Sequence, residues 1–146
     1  MPKAYFGRRY MLSASHRLHV HSLSAEENRA AYGKCNNPNG HGHNYTLEVT
    51  VKGEVDPRSG FVVDLKQLKE VMHREVLDAM DHRFLNHEVP PFDRVIPTVE
   101  NVAAEIWRRL EPHFTGGVRL ANVRLYETED LFVDYSEPPP SGSGVL

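Results

Sequence analysis

One segment of the sequence alternates apolar and polar side chains without interruption, and it constrains the fold more than any other feature. In residues 45–52, YTLEVTVK, the apolar side chains are Tyr45, Leu47, Val49 and Val51, and polar or charged residues separate them. Successive side chains of a β-strand point to opposite faces of a sheet. The alternation therefore predicts a strand that buries one face and exposes the other.

Two later segments have the spacing of amphipathic α-helices, with apolar residues three and four positions apart. The first helix is expected to begin after Asp64 and the second after Thr98, because both residue types cap helix N-termini. The apolar positions are Leu65, Leu68, Met72, Val76, Ala79 and Met80 in the first helix, and Val102, Ala103, Ile106, Trp107 and Leu110 in the second.

The remaining strands are expected in hairpins. Residues 3–14 predict a first strand, FVV at 61–63 predicts a short strand after a turn, and residues 116–128 and 131–136 predict a C-terminal hairpin. Strands grouped in hairpins, rather than alternating with single helices, favour an α+β fold with an antiparallel sheet and two helices on one face. Two helices cannot cover both faces of such a sheet, so its other face or its edges are expected to meet a partner subunit.

The length, charge and composition of the chain limit the number of domains, the kinds of partner and the location that we expect. The 146 residues predict one domain at 1–136, followed by a tail at 137–146, EPPPSGSGVL, that is expected to be disordered. The net charge of −3 gives no electrostatic reason to expect nucleic acid or membrane as a partner. The sequence shows no secretory signal and no apolar run of about 20 residues, and it has a single cysteine, so a cytoplasmic location is expected.

A long polar loop between the first two strands holds the candidate metal ligands. His41 and His43 flank a glycine, and in an extended segment they project to the same side. Three protein ligands, often histidines, leave a zinc ion one open position for catalysis. His16, at the end of the first strand, is a candidate third ligand, and His19 and His21 are its rivals. Polar loop histidines that bind no metal are the alternative.

The single cysteine, Cys35, admits three interpretations. As a fourth metal ligand it would close the site and make it structural. As a thiolate it would be a base or nucleophile, with its pKa lowered by a nearby cation. As a small buried hydrophobe it would have no chemical role, but Lys34, Asn36, Asn37 and Pro38 are poor surroundings for a core residue. A reactive or metal-bound thiol is therefore preferred.

Two further sets of residues are candidates for proton transfer and ligand binding. Asp81 could orient His82 as a proton shuttle if the chain has left the first helix there, because adjacent residues do not face each other within a helix. His82 could instead compensate the helix dipole. Glu127 continues the alternation of Val123 and Leu125, so its carboxylate needs a partner. The N–H donors of a guanidine-like heterocycle would suit it, and a salt bridge at the strand end is the alternative.

Taken together, six segments resemble the 6-pyruvoyl-tetrahydropterin synthase family, and they occur in the family's order. They are SASH at 13–16, CNNPNGHGHNY at 35–45, DPRSGFVVDL at 56–65, MDHRFLN at 80–86, PTVENVA at 97–103 and YET at 126–128. The resemblance implies a tunnelling fold (T-fold), in which a four-stranded antiparallel sheet carries two helices on one face and subunits join as trimers into a barrel. Two stacked trimers would form a homo-hexamer.

The same resemblance implies roles for individual residues. His16, His41 and His43 match the zinc ligands of the family, which leaves His19 and His21 outside the site. The other matches are Cys35 as the catalytic base, Asp81 and His82 as its relay, Glu127 as the anchor of the pterin ring, and Thr98 and Glu100 as residues near the substrate.

The implied activity is that of a zinc-dependent lyase. It would eliminate triphosphate from 7,8-dihydroneopterin triphosphate and move protons within the side chain, without an external redox cofactor. A second enzyme of the family, 6-carboxy-5,6,7,8-tetrahydropterin synthase of queuosine biosynthesis, releases acetaldehyde and typically has fewer residues between the cysteine and His-Gly-His. Here the five residues NNPNG separate Cys35 from His41, which favours the pyruvoyl-forming enzyme of tetrahydrobiopterin biosynthesis. A non-enzymatic zinc- or pterin-binding protein is the remaining alternative.

Overall fold

The computed structural model describes residues 3–136, so the predicted disorder at 137–146 lies outside the described residues. The sheet has five strands in the order β3-β1-β2-β4-β5. The strands are β1 Lys3–His16, β2 His41–Glu54, β3 Arg83–Phe84, β4 Val118–Tyr126 and β5 Phe132–Ser136. The helices are α1 Ala25–Tyr32, α2 Leu65–Met72, α3 Asp78–Met80, α4 Leu85–Glu88 and α5 Val99–Leu110.

The four long strands pair antiparallel, as the sequence predicts. β1 and β2 pair along their whole length, from Lys3 opposite Glu54 to His16 opposite His41. β4 lies between β2 and β5 and is antiparallel to both. The fifth strand, β3, is only two residues long and runs parallel to the C-terminal end of β1. A strand this short has no periodicity, so the sequence pattern gave no indication of it.

The short strand predicted at 61–63 does not form. These residues make a bend, because the preceding turn closes tightly: the Asp56 N–H donates to the Phe61 carbonyl at 2.9 Å and the Gly60 N–H to the Asp56 carbonyl at 2.7 Å. Val63 then turns into the core, where it is 6% exposed. The apolar character of this segment therefore reflects core packing, not pairing in the sheet.

The core lies on one face of the sheet. Tyr45, Leu47, Val49 and Val51 on β2 are at most 2% exposed, so the alternating segment does bury the face that the pattern predicts. The helices pack on this same face and contribute Leu68, Met72, Val76, Ile106 and Leu110 to the core. No helix within residues 3–136 has both the length and the hydropathy of a membrane span.

Both main helices begin at the predicted caps. The Asp64 carboxylate accepts hydrogen bonds from the backbone N–H groups of Lys66 and Gln67, and Thr98 caps α5 in the same way. The first helix differs from the prediction further along, because a π-helical turn at His73–Leu77 separates α2 from α3. Helical structure therefore extends over the predicted range, but not as one regular α-helix.

The buried carboxylate of Glu105 orients Arg109, which links α5 to the rest of the fold. Glu105 is 6% exposed and accepts hydrogen bonds of 2.6 to 2.8 Å from Arg108 and Arg109. Arg109 also donates to the carbonyl of Glu75 at 3.2 Å and to that of Pro90 at 2.7 Å. Burial raises the pKa of Glu105, but the hydrogen bonds and charges of the two arginines outweigh burial, and the pKa lies below its ordinary value.

We expect Glu105→Gln to lower the free energy of unfolding at neutral pH by about 1–3 kcal/mol, because the guanidinium groups of Arg108 and Arg109 lose their buried, charged acceptor. Since the folded-state pKa of Glu105 is depressed, its contribution is present above the unfolded pKa and is lost as the pH falls through the folded pKa. The difference between wild type and variant should therefore shrink on acidification. Urea unfolding over a pH series measures it, with the exposed Glu111→Gln as control; a difference that does not change with pH would contradict the prediction.

Candidate metal centre and active site

Three histidine rings converge where the β1–β2 pair ends. His16, the last residue of β1, lies opposite His41, the first residue of β2, and His43 follows two positions later on the same face. The ring centroids are 4.6 Å apart for His16 and His41, 5.0 Å for His16 and His43, and 4.8 Å for His41 and His43. One ligand atom of each ring lies within 4.8 Å of the other two.

His16 is fully buried, and a backbone carbonyl orients it. Its Nδ1 donates to the Pro97 oxygen at 2.7 Å, and because a carbonyl only accepts, the proton of the neutral ring is on Nδ1. The lone pair of the neutral ring is therefore on Nε2, which lies 3.1 Å from Nε2 of His41. Burial lowers the pKa of His16 to about 4, although the Pro97 hydrogen bond opposes this shift, so the ring is neutral at pH 7.

Two ring nitrogens in the cluster are unsatisfied. Nδ1 of His41 and Nε2 of His43 are buried and have no hydrogen-bond partner within residues 3–136. Buried polar atoms normally have partners, so such an exception points to an additional group at the site. Three imidazoles and one open position are the ligand set of a catalytic metal site. The cluster therefore fits a metal ion.

The rival pair of histidines lies outside this cluster. The rings of His19 and His21 contact each other, with centroids 5.2 Å apart. Nδ1 of His19 lies 3.0 Å from the side-chain nitrogen of Asn36. Among the three candidates that the spacing left open, the structure brings His16 to His41 and His43.

Cys35 lies beside the cluster without joining it. It is partly buried in a 3-10 turn at Gly33–Asn36 and lines an open cavity of about 880 Å³ together with His41 and His43. The turn is fixed to the segment after β1, because the Leu18 N–H donates to the Cys35 carbonyl at 2.9 Å. The thiol is not one of the converging ligand atoms, so the geometry disfavours a closed structural site.

Asp81 and His82 follow the end of α3. Asp81 is extended and His82 has a positive φ of 62°, so the chain has left the helix, as the shuttle interpretation requires. Oδ1 of Asp81 lies 3.1 Å from Nδ1 of His82 and accepts the Ser13 N–H at 2.8 Å. The His82 N–H donates to the Ser13 carbonyl at 2.6 Å. The carboxylate is thus tied to β1, while the imidazole is 82% exposed.

A single chain does not bring this pair to the thiol. His82 lines a groove beside β1, Cys35 lines the larger cavity, and His43 is the one residue common to both linings. Among residues 3–136, no hydrogen bond or ion pair joins Cys35 to Asp81 or His82. Within one chain, the thiol and the Asp81–His82 pair of the expected relay therefore lie on two sides of the histidine cluster.

Glu127 stands next to the cluster at the end of β4. Its Oε1 lies 3.8 Å from Nε2 of His43, and the two side chains are 17% and 18% exposed. Burial lowers the pKa of His43, the charge of Glu127 raises it, and His41 lowers it again, with a net lowering. His43 is therefore neutral at pH 7, and the contact is not a salt bridge between full charges. The carboxylate keeps its capacity to accept hydrogen bonds from another partner.

Thr98 and Glu100 have positions that the helix itself explains. The Thr98 hydroxyl accepts the Asn101 N–H at 3.2 Å, and Glu100 is exposed in the first turn of α5. Neither lines the cavity that contains Cys35. Their segment reaches the cluster through the carbonyl of the preceding residue, Pro97. The structure therefore brings the segment, but not these two side chains, to the site.

Two residues that contribute to the site were not predicted from the sequence. Pro97 acts through a backbone carbonyl, for which a sequence has no signal. Tyr45 fitted the core pattern and is indeed 1% exposed, yet its hydroxyl lies 3.4 Å from Nδ1 of His16. Burial and the charges of Glu127 and Cys35 raise the pKa of Tyr45, so all three groups share one electrostatic environment.

Comparisons with known proteins agree on one family. A family model described as 6-pyruvoyl tetrahydropterin synthase matches residues 6–138. The 6-pyruvoyl tetrahydrobiopterin synthase of Homo sapiens is 48% identical over 133 residues, which cover 91% of each chain. That of Poecilia reticulata is 43% identical over 131 residues, covering 90% of this chain and 88% of the other. The structure of Caenorhabditis elegans 6-pyruvoyl tetrahydropterin synthase has a TM-score of 0.88 at 42% identity and covers 94% of this chain and 98% of its own.

These matches include every segment on which the resemblance was based. They run from β1 through the histidine cluster, Cys35 and the Asp81–His82 pair to the end of β5. The likeness to the solved structure extends to the arrangement of sheet and helices, which confirms the tunnelling fold of the subunit. The chain belongs to the 6-pyruvoyl tetrahydropterin synthase family.

Proposed function

We propose that this protein is a zinc-dependent 6-pyruvoyl-tetrahydropterin synthase, a lyase that eliminates triphosphate from 7,8-dihydroneopterin triphosphate. The observation that carries the proposal is the cluster of three histidines, two of which have an unsatisfied ring nitrogen and line one cavity together with the thiol of Cys35. The 48% identity to the human protein of this name supports it. A lone cysteine that acts as a thiolate also suits a reducing compartment such as the cytoplasm.

The ligand set favours zinc as the metal. Three imidazoles and one open position are a recurrent arrangement for catalytic zinc. By donating from Nδ1 to the Pro97 carbonyl, His16 holds its ring orientation and reserves Nε2 for the metal. When bound, zinc supplies a Lewis acid to the hydroxyl oxygens of the substrate side chain, which makes the neighbouring C–H bonds more acidic.

Cys35 is the proposed base. The thiolate takes a proton from a side-chain carbon, and the phosphate chain leaves the next carbon with the electron pair of its C–O bond. The resulting enol becomes one of the two keto groups of the pyruvoyl side chain. A thiol, with an ordinary pKa of about 8.5, is both deprotonated in part and basic near neutral pH. Arg17 and Lys34 line the same cavity as Cys35.

Asp81 and His82 are the proposed relay, and we propose that it works across a subunit interface. His82 is 82% exposed and not in contact with Cys35 of its own chain, which leaves it available to the thiol of a neighbouring subunit. Tyr5 and Met11, 73% and 69% exposed on the uncovered side of β1, support such packing because large apolar side chains favour burial. Both observations support the expected homo-hexamer of two stacked trimers.

Glu127 is the proposed anchor of the pterin ring. The ring presents an amino group and a ring N–H as adjacent donors, and a carboxylate accepts such a pair in bidentate fashion. Glu127 is positioned for this role beside neutral His43, with most of its surface shielded from water. A ring held there has its side chain close to the metal ligands.

Product analysis tests the activity directly. Purified protein with zinc and 7,8-dihydroneopterin triphosphate should release inorganic triphosphate and form 6-pyruvoyl-tetrahydropterin, identified by mass spectrometry. Release of acetaldehyde with 6-carboxy-tetrahydropterin would assign the chain to the alternative enzyme, against which the five residues between Cys35 and His41 count. A protein that binds the pterin without turnover would be the non-enzymatic alternative.

The metal assignment predicts that His16→Ala, His41→Ala and His43→Ala each lose most of the bound zinc. Each substitution leaves two ligands, too few for a stable catalytic site. Metal content per subunit, measured by plasma emission spectrometry, checks this prediction, and His19→Ala and His21→Ala are the controls that should retain zinc. Full occupancy in His16→Ala would rule out this ligand set.

The base assignment predicts that Cys35→Ser keeps zinc and pterin binding but loses most turnover, because a hydroxyl is far less acidic than a thiol. If Cys35→Ser instead loses zinc, a closed structural site is the better interpretation. Asp81→Asn should lower the turnover rate without abolishing pterin binding, since the amide orients His82 less well. Unaltered turnover in Cys35→Ser would remove the thiolate from the mechanism.

The anchor assignment predicts that Glu127→Gln weakens pterin binding at least about tenfold, equivalent to about 1.4 kcal/mol. Loss of the charged acceptor leaves buried donors of the ligand poorly paired. Zinc content should not change. Titration with biopterin, a non-reactive pterin, measures the affinity, and Glu129→Gln in the exposed turn is the control. Equal affinities of the two variants would show that the ring is held elsewhere.

A further inference from the structure

A second, smaller cavity adjoins the one that contains the histidine cluster. Its volume is about 290 Å³, at the lower end of the range for small-ligand sites. Arg17, His19 and Pro38 line both cavities, so the two meet along these residues. A ligand that occupied both cavities would pass beside these three residues.

The walls of both cavities are rich in positive charge. Four arginines and lysines line them, and the one carboxylate is Asp93, which lies 3.8 Å from Nε of the neighbouring Arg94. The four basic residues are Arg17, Arg29, Lys34 and Arg94. The whole chain has more acidic than basic residues, 20 against 17, so this concentration does not follow from composition. Concave walls of one charge sign focus the field on a ligand of opposite sign.

Arg17, where the cavities meet, is fixed in place but has no acidic partner. The side chain of Asn86 holds its backbone from both sides, accepting the Arg17 N–H at 2.8 Å and donating to the Arg17 carbonyl at 2.8 Å. Nε of Arg17 donates to the Asn36 carbonyl at 3.0 Å. In residues 3–136, no carboxylate lies within 4.0 Å of its guanidinium group. The terminal N–H groups are therefore preorganised donors for an anion.

His19 presents another donor in a defined tautomer. The side-chain nitrogen of Asn36 donates to the Leu18 carbonyl at 2.8 Å, which identifies it as the NH₂ group, and it lies 3.0 Å from Nδ1 of His19. Nδ1 is therefore an acceptor, and the proton of neutral His19 is on Nε2. Partial burial, and then the charges of Arg17 and His21, lower the pKa of His19.

We propose that the smaller cavity binds the phosphate chain of the substrate, a linear triphosphate ester, with Arg17 and His19 at its entrance and Arg94 at its far wall. This inference rests on the proposed function, which places the reacting side chain at the histidine cluster. In the elimination, the C–O bond to the phosphate chain breaks and the departing triphosphate takes the electron pair, while the base takes the proton. The guanidinium of Arg17 stabilises the charge that develops on the departing oxygen.

Binding of inorganic triphosphate tests the cavity without any turnover. Isothermal titration calorimetry on the zinc-loaded protein should show saturable binding of inorganic triphosphate that weakens with added salt. We expect Arg94→Gln and Arg17→Gln each to weaken it about tenfold, equivalent to about 1.4 kcal/mol. Arg58→Gln, in an exposed turn outside both linings, is the control. Arg94 is largely exposed, so its variant keeps the test valid if Arg17→Gln fails to fold.

Biopterin, which has no phosphate, separates this cavity from the pterin site. Its affinity should be the same in Arg94→Gln and wild type. Triphosphate affinity in Arg94→Gln and Arg17→Gln equal to that of Arg58→Gln, or an equal loss of biopterin affinity, would overturn the assignment.

The two proposals fail in different ways. If the protein does not convert dihydroneopterin triphosphate but binds inorganic triphosphate through Arg17 and Arg94, the cavity assignment stands and the proposed activity falls. If it converts the substrate, and the KM of Arg94→Gln and Arg17→Gln equals that of wild type, the activity stands and the cavity assignment falls.

Discussion

The register between β1 and β2 is the constraint on which the site depends. His16 and His41 are neighbours only because these strands pair with His16 opposite His41, across a loop that separates them in sequence. A slip of one residue would turn every side chain of one strand to the other face of the sheet and disperse the ligands. The core prevents this slip, because Tyr45 and Leu47 must remain on the buried face. The hydrophobic burial that stabilises the sheet therefore also fixes the ligand geometry.

The start of α5 connects this arrangement to the helical layer. The Pro97 carbonyl that orients His16 immediately precedes Thr98, the cap of the helix. The side chain of Asn101, in the first turn of α5, donates to the Ile96 carbonyl at 2.9 Å and so also holds this segment. A substitution that destabilises the start of α5 would therefore affect the orientation of the buried His16 ring. The stability of α5 and the orientation of His16 are therefore coupled through hydrogen bonds to backbone carbonyls.

The sequence predicted those parts of the structure that follow from local periodicity or from matched motifs. The half-buried strand at Tyr45, the caps Asp64 and Thr98 and the α+β class rest on side-chain spacing, and they appear as expected. Features that depend on contacts distant in sequence were not predictable: β3, the π-helical turn, and the Pro97 carbonyl 81 positions from His16. The positive charge of the cavity walls could not be predicted from the sequence for a similar reason. A net charge of −3 describes the whole chain, whereas the field at a site depends on which charges the fold brings together.

The same positive charge is relevant both to the binding of a phosphate chain and to the chemistry of a thiol. A thiolate is favoured by nearby cations, and a phosphate chain is bound by the same kind of charge. Arg17 lines both cavities. Under the two proposals, the same guanidinium group would face both the base and the phosphate chain. The base and the leaving group would then share one source of positive charge, so a change at Arg17 could not alter the surroundings of one without altering those of the other.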